Sequence, residues 1–159
     1  MKWYYTVGLA VAILIISRFI WIPIPASGGV FNLGDVAVVF SGLLLGTKGG
    51  ALAGGIGSAL ADITGGYAFF APLTLIAKGL EGLLTGLAKN RKGLLFYLFP
   101  LLGVMLMAAI YFVGEIFMPQ KGIGGAITEL PANLLQAGIG YFGGILLHKA
   151  YSASSGKTG

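Results

Sequence analysis

Residues 94–118 read LLFYLFPLLGVMLMAAIYFVGEIFM, an apolar run in which Glu115 is the single charged side chain. About 20 apolar residues in a helix cross the hydrocarbon core of a bilayer, so this run predicts a transmembrane helix. Polar, Pro and Gly residues separate it from further apolar runs at about 4–22, 34–46, 50–64, 71–88 and 127–149. The first run could pass for a signal peptide, but we interpret it as a retained helix. We therefore expect a single domain, residues 1–159, with six spans.

The composition excludes a soluble domain. Hydrophobic residues make up 57% of the chain, charged residues make up 9%, and the mean hydropathy is +0.91. A soluble domain carries roughly a quarter charged residues. No soluble fold of this size could hide so much apolar surface. The predicted fold is an all-α integral membrane protein, a compact bundle of six transmembrane helices.

The basic residues predict the orientation of the bundle. If the N-terminus is cytoplasmic, six helices leave Lys121 as the one basic residue in an outside loop. The basic residues on the inner side, as the positive-inside rule requires, are Lys2, Lys48, Lys89, Arg91, Lys92, Lys149 and Lys157. Both termini are thus expected in the cytoplasm of a prokaryote, in a multi-pass protein of the plasma membrane. The net charge of +5 is scattered over short loops, so nucleic acid is not an expected partner.

Patterns typical of catalysis are incomplete. The chain has no cysteine and one histidine, so thiol chemistry and a histidine metal site are not expected. A GxGxxG match at 138–143 lies inside an apolar span without a preceding strand. The tail SGKT at 155–158 lacks the first glycine of a phosphate loop. We expect no catalytic residue, metal, cofactor or ATPase activity in this chain, and therefore no enzyme.

Small residues recur at helical spacing in two of the spans. Gly50, Gly54 and Ser58 lie in the third span, and Gly140 and Gly144 lie in the last. Such stripes let helix backbones approach closely in lipid, where apolar surface alone does not drive association. We interpret both stripes as packing surfaces within the bundle.

Polar side chains inside the spans are few, and they share helix faces. An ionisable group in a bilayer is costly unless it faces a cavity or a partner, so each is a candidate for function. The fourth span places four of them on one face, and the last span places three over two turns. The third and fifth spans add three more. In the order of these spans, the polar residues are Thr74, Lys78, Glu81 and Thr85 in the fourth, Glu129, Asn133 and Gln136 in the last, Asp62 in the third, and Tyr111 and Glu115 in the fifth. We predict one polar pocket that opens to the exterior.

Some of these residues have alternative interpretations. Lys78 and Glu81 are spaced i, i+3 and could neutralise each other instead of contacting a ligand. The two amides of the last span could bridge helix backbones. However, a carboxylate with two amides offers the donors and acceptors that suit a polar heterocycle. Arg18 is expected to snorkel outward or to pair with Asp35.

A set of short motifs extends over nearly the whole chain. They are IPIP at 22–25, FNLGD at 31–35, GLLLG at 42–46, AD at 61–62, GGY at 65–67, APLTLIAKGLEG at 71–82 and ELPAN at 129–133. In combination they resemble the S components of energy-coupling factor (ECF) transporters. The closest resemblance is to the branch that includes hydroxymethylpyrimidine and riboflavin-type carriers.

The resemblance implies a vitamin-binding subunit that works with a membrane coupling protein, the T component, and two ATPase subunits. In such proteins the loop between the first two helices is a lid, and that loop and helices four to six contact the substrate. With Gln136 added from the polar stripe, the expected binding residues are Phe31, Asn32, Tyr67, Phe69, Phe70, Thr74, Lys78, Glu115, Glu129, Asn133 and Gln136. Family members dock the T component through an alanine pair spaced i, i+4 on the first helix. Gly8 and Ala12 occupy these positions here, so the first alanine is replaced.

The leading hypothesis is the substrate-specific subunit of an ECF-type ABC importer for a small water-soluble vitamin or precursor. Hydroxymethylpyrimidine or a pyridoxine-like ring is favoured, and riboflavin is a further candidate. The alternative is a stand-alone proton-coupled secondary transporter, with Glu81, Glu115 or Glu129 as the proton carrier. A channel ranks third, because the polar stripes lie mostly in the outer half of the bundle.

Overall fold

The computed structural model describes residues 3–24 and 29–156. Six α-helices run through these residues, and short connections make sequential helices antiparallel neighbours. They are α1 Trp3–Phe19, α2 Gly34–Leu45, α3 Thr47–Gly65, α4 Ala71–Gly86, α5 Leu94–Ile116 and α6 Gly122–Ser154. The predicted six-helix architecture is confirmed. The sixth helix extends beyond the predicted span 127–149 at both ends, because the glycine-rich stretch before it is also helical.

The connection between α1 and α2 contains a β-hairpin, which the all-α prediction omitted. β1 (Trp21–Ile24) pairs antiparallel with β2 (Gly29–Asn32), and Trp21 lies opposite Asn32. Aromatic and β-branched residues in both strands favour extended backbone. Pro23 is compatible with β1, because each strand of a two-stranded sheet has a free edge.

Glycines bring neighbouring helices into backbone contact. A Cβ added at Gly50 of α3 would lie 2.4 Å from the carbonyl oxygen of Gly82 in α4. A Cβ added at Gly144 of α6 would lie 2.5 Å from the Cβ of Val39 in α2. Larger side chains at either position would force the helices apart. The predicted packing function of the two small-residue stripes is confirmed.

The alternating helix directions sort the connections to two ends of the bundle. The hairpin and the connections 66–70 and 117–121 lie at one end, which we call the pocket end. The two ends of the described chain and the loop 87–93 lie at the other. Between them, Leu43, Val104 and Met107 are buried in an apolar core that joins α2 to α5.

The outer surface of the helices is apolar. Large side chains such as Val11, Leu102 and Phe142 are exposed, with Phe142 at 73%. Extended apolar surface of this kind is typical of a protein that contacts lipid or partners. Among the described helices, α5 and α6 are long and apolar enough to cross a membrane, with mean hydropathies of 2.2 and 1.3.

Candidate functional site

A polar cavity of about 40 Å³ lies at the pocket end, between the hairpin and helices α3 to α6. Its lining residues are Asn32, Asp62, Tyr67, Phe70, Thr74, Tyr111, Glu115, Glu129, Asn133 and Gln136. Polar residues from the four helices named in the sequence analysis are thus brought together. One water molecule takes up about 30 Å³ of the liquid, so the cavity has room for little more than water.

Three of the predicted binding residues do not line the cavity. Phe69 is 40% exposed, and its ring packs against that of Phe70 with 4.5 Å between centroids. Phe31 is half-buried in the hairpin. Lys78 is buried beneath the cavity. Sequence spacing could not separate Phe69 from Phe70, because both precede α4 in a turn without a regular period.

A buried ion cluster lies beneath the cavity. The Lys78 ammonium binds the Asp35 carboxylate of α2, and it lies 3.4 Å from Oε2 of Glu81. All three side chains are at most 3% exposed. Lys78 and Glu81 form the ion pair that was one of the two interpretations of their spacing, but the suggested pairing of Arg18 with Asp35 is wrong. Asp35 faces α4 and α6, whereas the Arg18 guanidinium lies 5.7 Å from the ring of Phe19.

Gln136 of α6 connects the ion cluster to the hairpin. Its Nε2 donates a hydrogen bond to Oδ2 of Asp35 at 2.9 Å. Its Oε1 accepts a hydrogen bond from the backbone N–H of Asn32 at 2.9 Å. The Asn32 side chain in turn accepts a hydrogen bond from the N–H of Gly34 at 2.8 Å. These bonds fix the end of β2 over the cavity.

Lys121 contacts two residues that line the cavity, Glu129 and Phe70. Its ammonium binds the Glu129 carboxylate and lies 4.8 Å from the centroid of the Phe70 ring. Burial lowers the pKa of Lys121 from the usual lysine value, while the charge of Glu115 acts in the opposite direction. Lys121 is absent from the binding residues that the sequence predicts. The sequence feature that sets Lys121 apart is that it is the one lysine expected in a loop outside the cell.

Three lining side chains have a buried polar atom without a hydrogen-bond partner among the described residues. These atoms are Oδ2 of Asp62, Oε2 of Glu115 and Nδ2 of Asn133. A buried unpaired polar atom costs about 1–3 kcal/mol, so three at one cavity indicate a place for a polar ligand or water. The rings of Tyr67 and Tyr111 lie in the same lining. Within residues 3–24 and 29–156, no cluster of His, Asp or Glu is placed to hold a metal ion.

Comparison with known proteins decides the family. Residues 2–153 match the family described as the S component of ECF-type riboflavin transporters. The chain belongs to this family. As an S component it is an integral membrane protein, the substrate-binding subunit of a vitamin or vitamin-precursor transporter, and not an enzyme. The resemblance found in the sequence motifs is confirmed.

Two relatives of this S component cover most of its length. The thiamine precursor transporter HmpT of Lactococcus lactis subsp. cremoris is 31% identical over 146 residues, which are 91% of this chain and 81% of HmpT. An uncharacterised protein of Pyrococcus woesei, described as lying in the gap 3′ region, is 38% identical over 128 residues. That alignment covers 79% of this chain and 84% of the relative. The similarity therefore extends well beyond single motifs.

Proposed function

We propose that this S component gives an ATP-driven ECF importer its substrate specificity by binding a planar, water-soluble nitrogen heterocycle. A hydroxymethylpyrimidine or a pyridoxine-like ring is favoured, and riboflavin is a further candidate. The observation that carries the proposal is the set of unpartnered polar atoms of Asp62, Glu115 and Asn133 beside aromatic rings. A flat ring can stack on an aromatic side chain while its nitrogen atoms bind carboxylates and an amide. The similarity to HmpT supports the pyrimidine.

The charges of the lining favour a ligand with hydrogen-bond donors. Asp62, Glu115 and Glu129 contribute three carboxylates, and Lys121 is paired with that of Glu129. An exocyclic amino group or a protonated ring nitrogen could donate hydrogen bonds to these acidic side chains, whereas a phosphate brings only acceptors and negative charge and would be disfavoured. The proposed ligand is therefore the free nutrient and not its phosphate ester.

The proposed orientation is multi-pass, with the pocket end outside the cell and both termini in the cytoplasm. The basic residues Lys89, Arg91 and Lys92 at the opposite end support it. The T component is proposed to dock on α1 at Gly8 and Ala12, and two ATPase subunits to supply the energy. Gly8 is exposed, and a Cβ there would meet no atom within 4 Å, so this position is open to a partner.

The purified subunit alone should bind its nutrient without ATP, because the cavity is built within one chain. Native mass spectrometry would identify a co-purifying metabolite, and calorimetry over B-type vitamins and their precursors would give the affinity. We expect a Kd below about 1 μM for one free heterocycle. The phosphorylated form of the same compound should bind at least about tenfold more weakly. The proposal fails if folded protein binds no member of the panel.

Replacing Asn133 or Glu129 by alanine should weaken binding of that nutrient. Each change leaves a ligand group unpaired at a cost of about 1–3 kcal/mol, which corresponds to roughly five- to 150-fold in Kd. Calorimetry of the purified variants measures the change. Leu134→Ala is the matched control, because Leu134 follows Asn133 on the same helix but is 43% exposed. Wild-type affinity in both site variants would remove α6 from the binding site.

A stand-alone proton-coupled transporter is the alternative function. The observation that favours it is Glu81, which is fully buried and whose oxygen atoms lack a hydrogen-bond partner among the described residues. Proteoliposomes containing only this subunit distinguish the two functions. We expect no uptake when a proton gradient is imposed on them. Uptake under that gradient would establish the alternative and exclude dependence on partner subunits.

A further inference from the structure

The cavity is too small for a heterocyclic ligand, and the hairpin forms part of its lining. Pockets for small organic ligands usually measure about 300–1,000 Å³, far more than the present 40 Å³. Asn32, the last residue of β2, is the part of the hairpin that lines the cavity. Its backbone N–H is bound to Gln136 of α6. A heterocycle can therefore occupy this site only after the hairpin, or the helices beneath it, have moved.

We propose that Gln136 is a latch that holds the hairpin closed, and that the buried pair of Asp35 and Lys78 positions this latch. The inference rests on the proposed function to the extent that the hairpin is taken to cover a ligand site. Opening would break the bond between Asn32 and Gln136 and leave the ion cluster intact. The latch would then set how fast the ligand enters and leaves.

The direction of the Gln136 amide follows from its two partners. The backbone N–H of Asn32 can only donate a hydrogen bond, so it requires the carbonyl oxygen of Gln136. The ionised carboxylate of Asp35 can only accept, so it requires the NH2 group. If the amide turned over, two donors would face each other at the hairpin, and two acceptors would face each other at Asp35.

Lys78 keeps the Asp35 carboxylate ionised and oriented so that it can accept the hydrogen bond from Gln136. Its ammonium binds Oδ1 of Asp35, while Oδ2 accepts from Gln136. Hydrogen bonds to an ionised group are roughly twice as strong as bonds between neutral groups, so the cluster dominates the choice of amide direction. Asp35 does not line the cavity and acts on the hairpin through Gln136. It is therefore a positioning residue.

Close packing leaves this arrangement little freedom. A Cβ added at Gly140, one turn after Gln136, would lie 2.5 Å from the Cβ of Asp35. Helices α2 and α6 therefore touch beside the latch, and Gln136 has little room to reach the hairpin in another way. Glu81 contacts Lys78 from the other side, and no bond between it and Gln136 exists among the described residues. This makes Glu81 an internal control.

Trp21 gives a direct measure of the latch in the ligand-free protein. It lies opposite Asn32 in the hairpin, is half-buried, and has its ring centroid 6.2 Å from that of Tyr67. The chain has two tryptophans, so Trp3→Phe leaves Trp21 as the sole one. Quenching of its fluorescence by acrylamide reports how often the hairpin opens.

Two variants in the Trp3→Phe background should open the hairpin. Gln136→Leu removes both bonds of the latch. In Asp35→Asn, the amide oxygen of the new side chain accepts the hydrogen bond from Lys78. The NH2 group of the new side chain then faces Gln136, and the Gln136 amide must turn over to accept from it. Asp35→Asn should fold, because Glu81 still balances Lys78. We expect both to raise the quenching constant towards that of a free tryptophan, and to speed dissociation of any identified ligand about tenfold.

Glu81→Gln should leave the quenching constant at that of the Trp3→Phe parent. Unchanged quenching in both test variants would overturn the latch. An increase in Gln136→Leu without one in Asp35→Asn would overturn the positioning role. An equal increase in Glu81→Gln would overturn the proposal as well, since the cluster would then be loosening as a whole. Because the quenching measurement needs no ligand, its result does not depend on whether the vitamin panel yields one.

Discussion

Replacing Gly8 by tryptophan should abolish ATP-driven uptake while the isolated subunit keeps its ligand affinity within a few-fold. Gly8 lies on the exposed side of α1, in the half of the helix away from the pocket end. Its added Cβ would meet no atom within 4 Å, so the larger side chain disturbs nothing inside the subunit. At an interface that needs close backbone approach, the same side chain would separate the partners. Uptake by cells that express the whole complex, and co-purification with the partner subunits, measure the loss.

Gly138→Trp on α6 is the matched control for this experiment. A Cβ at Gly138 also meets no atom within 4 Å, so the two variants make the same change in open space on different helices. We expect normal uptake from it. Normal uptake from Gly8→Trp would remove α1 from the docking surface. The stripe of Gly50, Gly54 and Ser58 could not then be the docking surface instead, because it is largely buried. Gly50 and Gly54 pack against α4.

Replacing Lys78 by methionine should prevent stable folding. The change leaves Asp35 and Glu81 as two buried carboxylates without a cation, and breaking a buried ion pair in this way costs about 3–5 kcal/mol. That is a large part of the roughly 5–15 kcal/mol by which a protein of ordinary stability is folded. Size-exclusion chromatography and thermal unfolding in detergent should show aggregated protein or a strongly lowered Tm.

Glu81→Gln separates the effect of charge from that of altered packing. It is nearly isosteric, and it leaves Lys78 paired with Asp35 in a neutral cluster. We expect a Tm close to that of the wild-type protein. If Glu81→Gln lowered the Tm more than Lys78→Met, the balance of charges would not be what stabilises the cluster.

The sequence predicts which helical faces form the site, but it does not predict how far each side chain lies from the pocket end. Thr74 and Lys78 are spaced i, i+4, which places them on one face of α4. A rise of 1.5 Å per residue puts Lys78 about 6 Å further from the pocket end than Thr74. Thr74 lines the cavity, whereas Lys78 lies in the ion cluster below it. Spacing alone therefore could not show that Lys78 lies outside the cavity lining.

The pairing of charges required the packed structure. Asp35 and Lys78 are 43 residues apart, and the sequence suggests Arg18, not Lys78, as a partner of Asp35. Lys121 lies in the connection before α6, as the sequence predicts, but only the packed structure shows that it binds Glu129. Which of several opposite charges meet depends on how the helices are rotated and how closely they approach, and the glycine contacts between helices decide both.

The sequence by itself determined the six helices, their apolar surface, the faces that carry polar groups and the family. Each of these depends on local composition or on a helical period that is read within one segment. The tertiary structure alone decided that Lys78 pairs with Asp35, that the hairpin is bonded to Gln136, and that the cavity is small. These features depend on distances between segments far apart in the chain, and those distances exist only once the helices have packed.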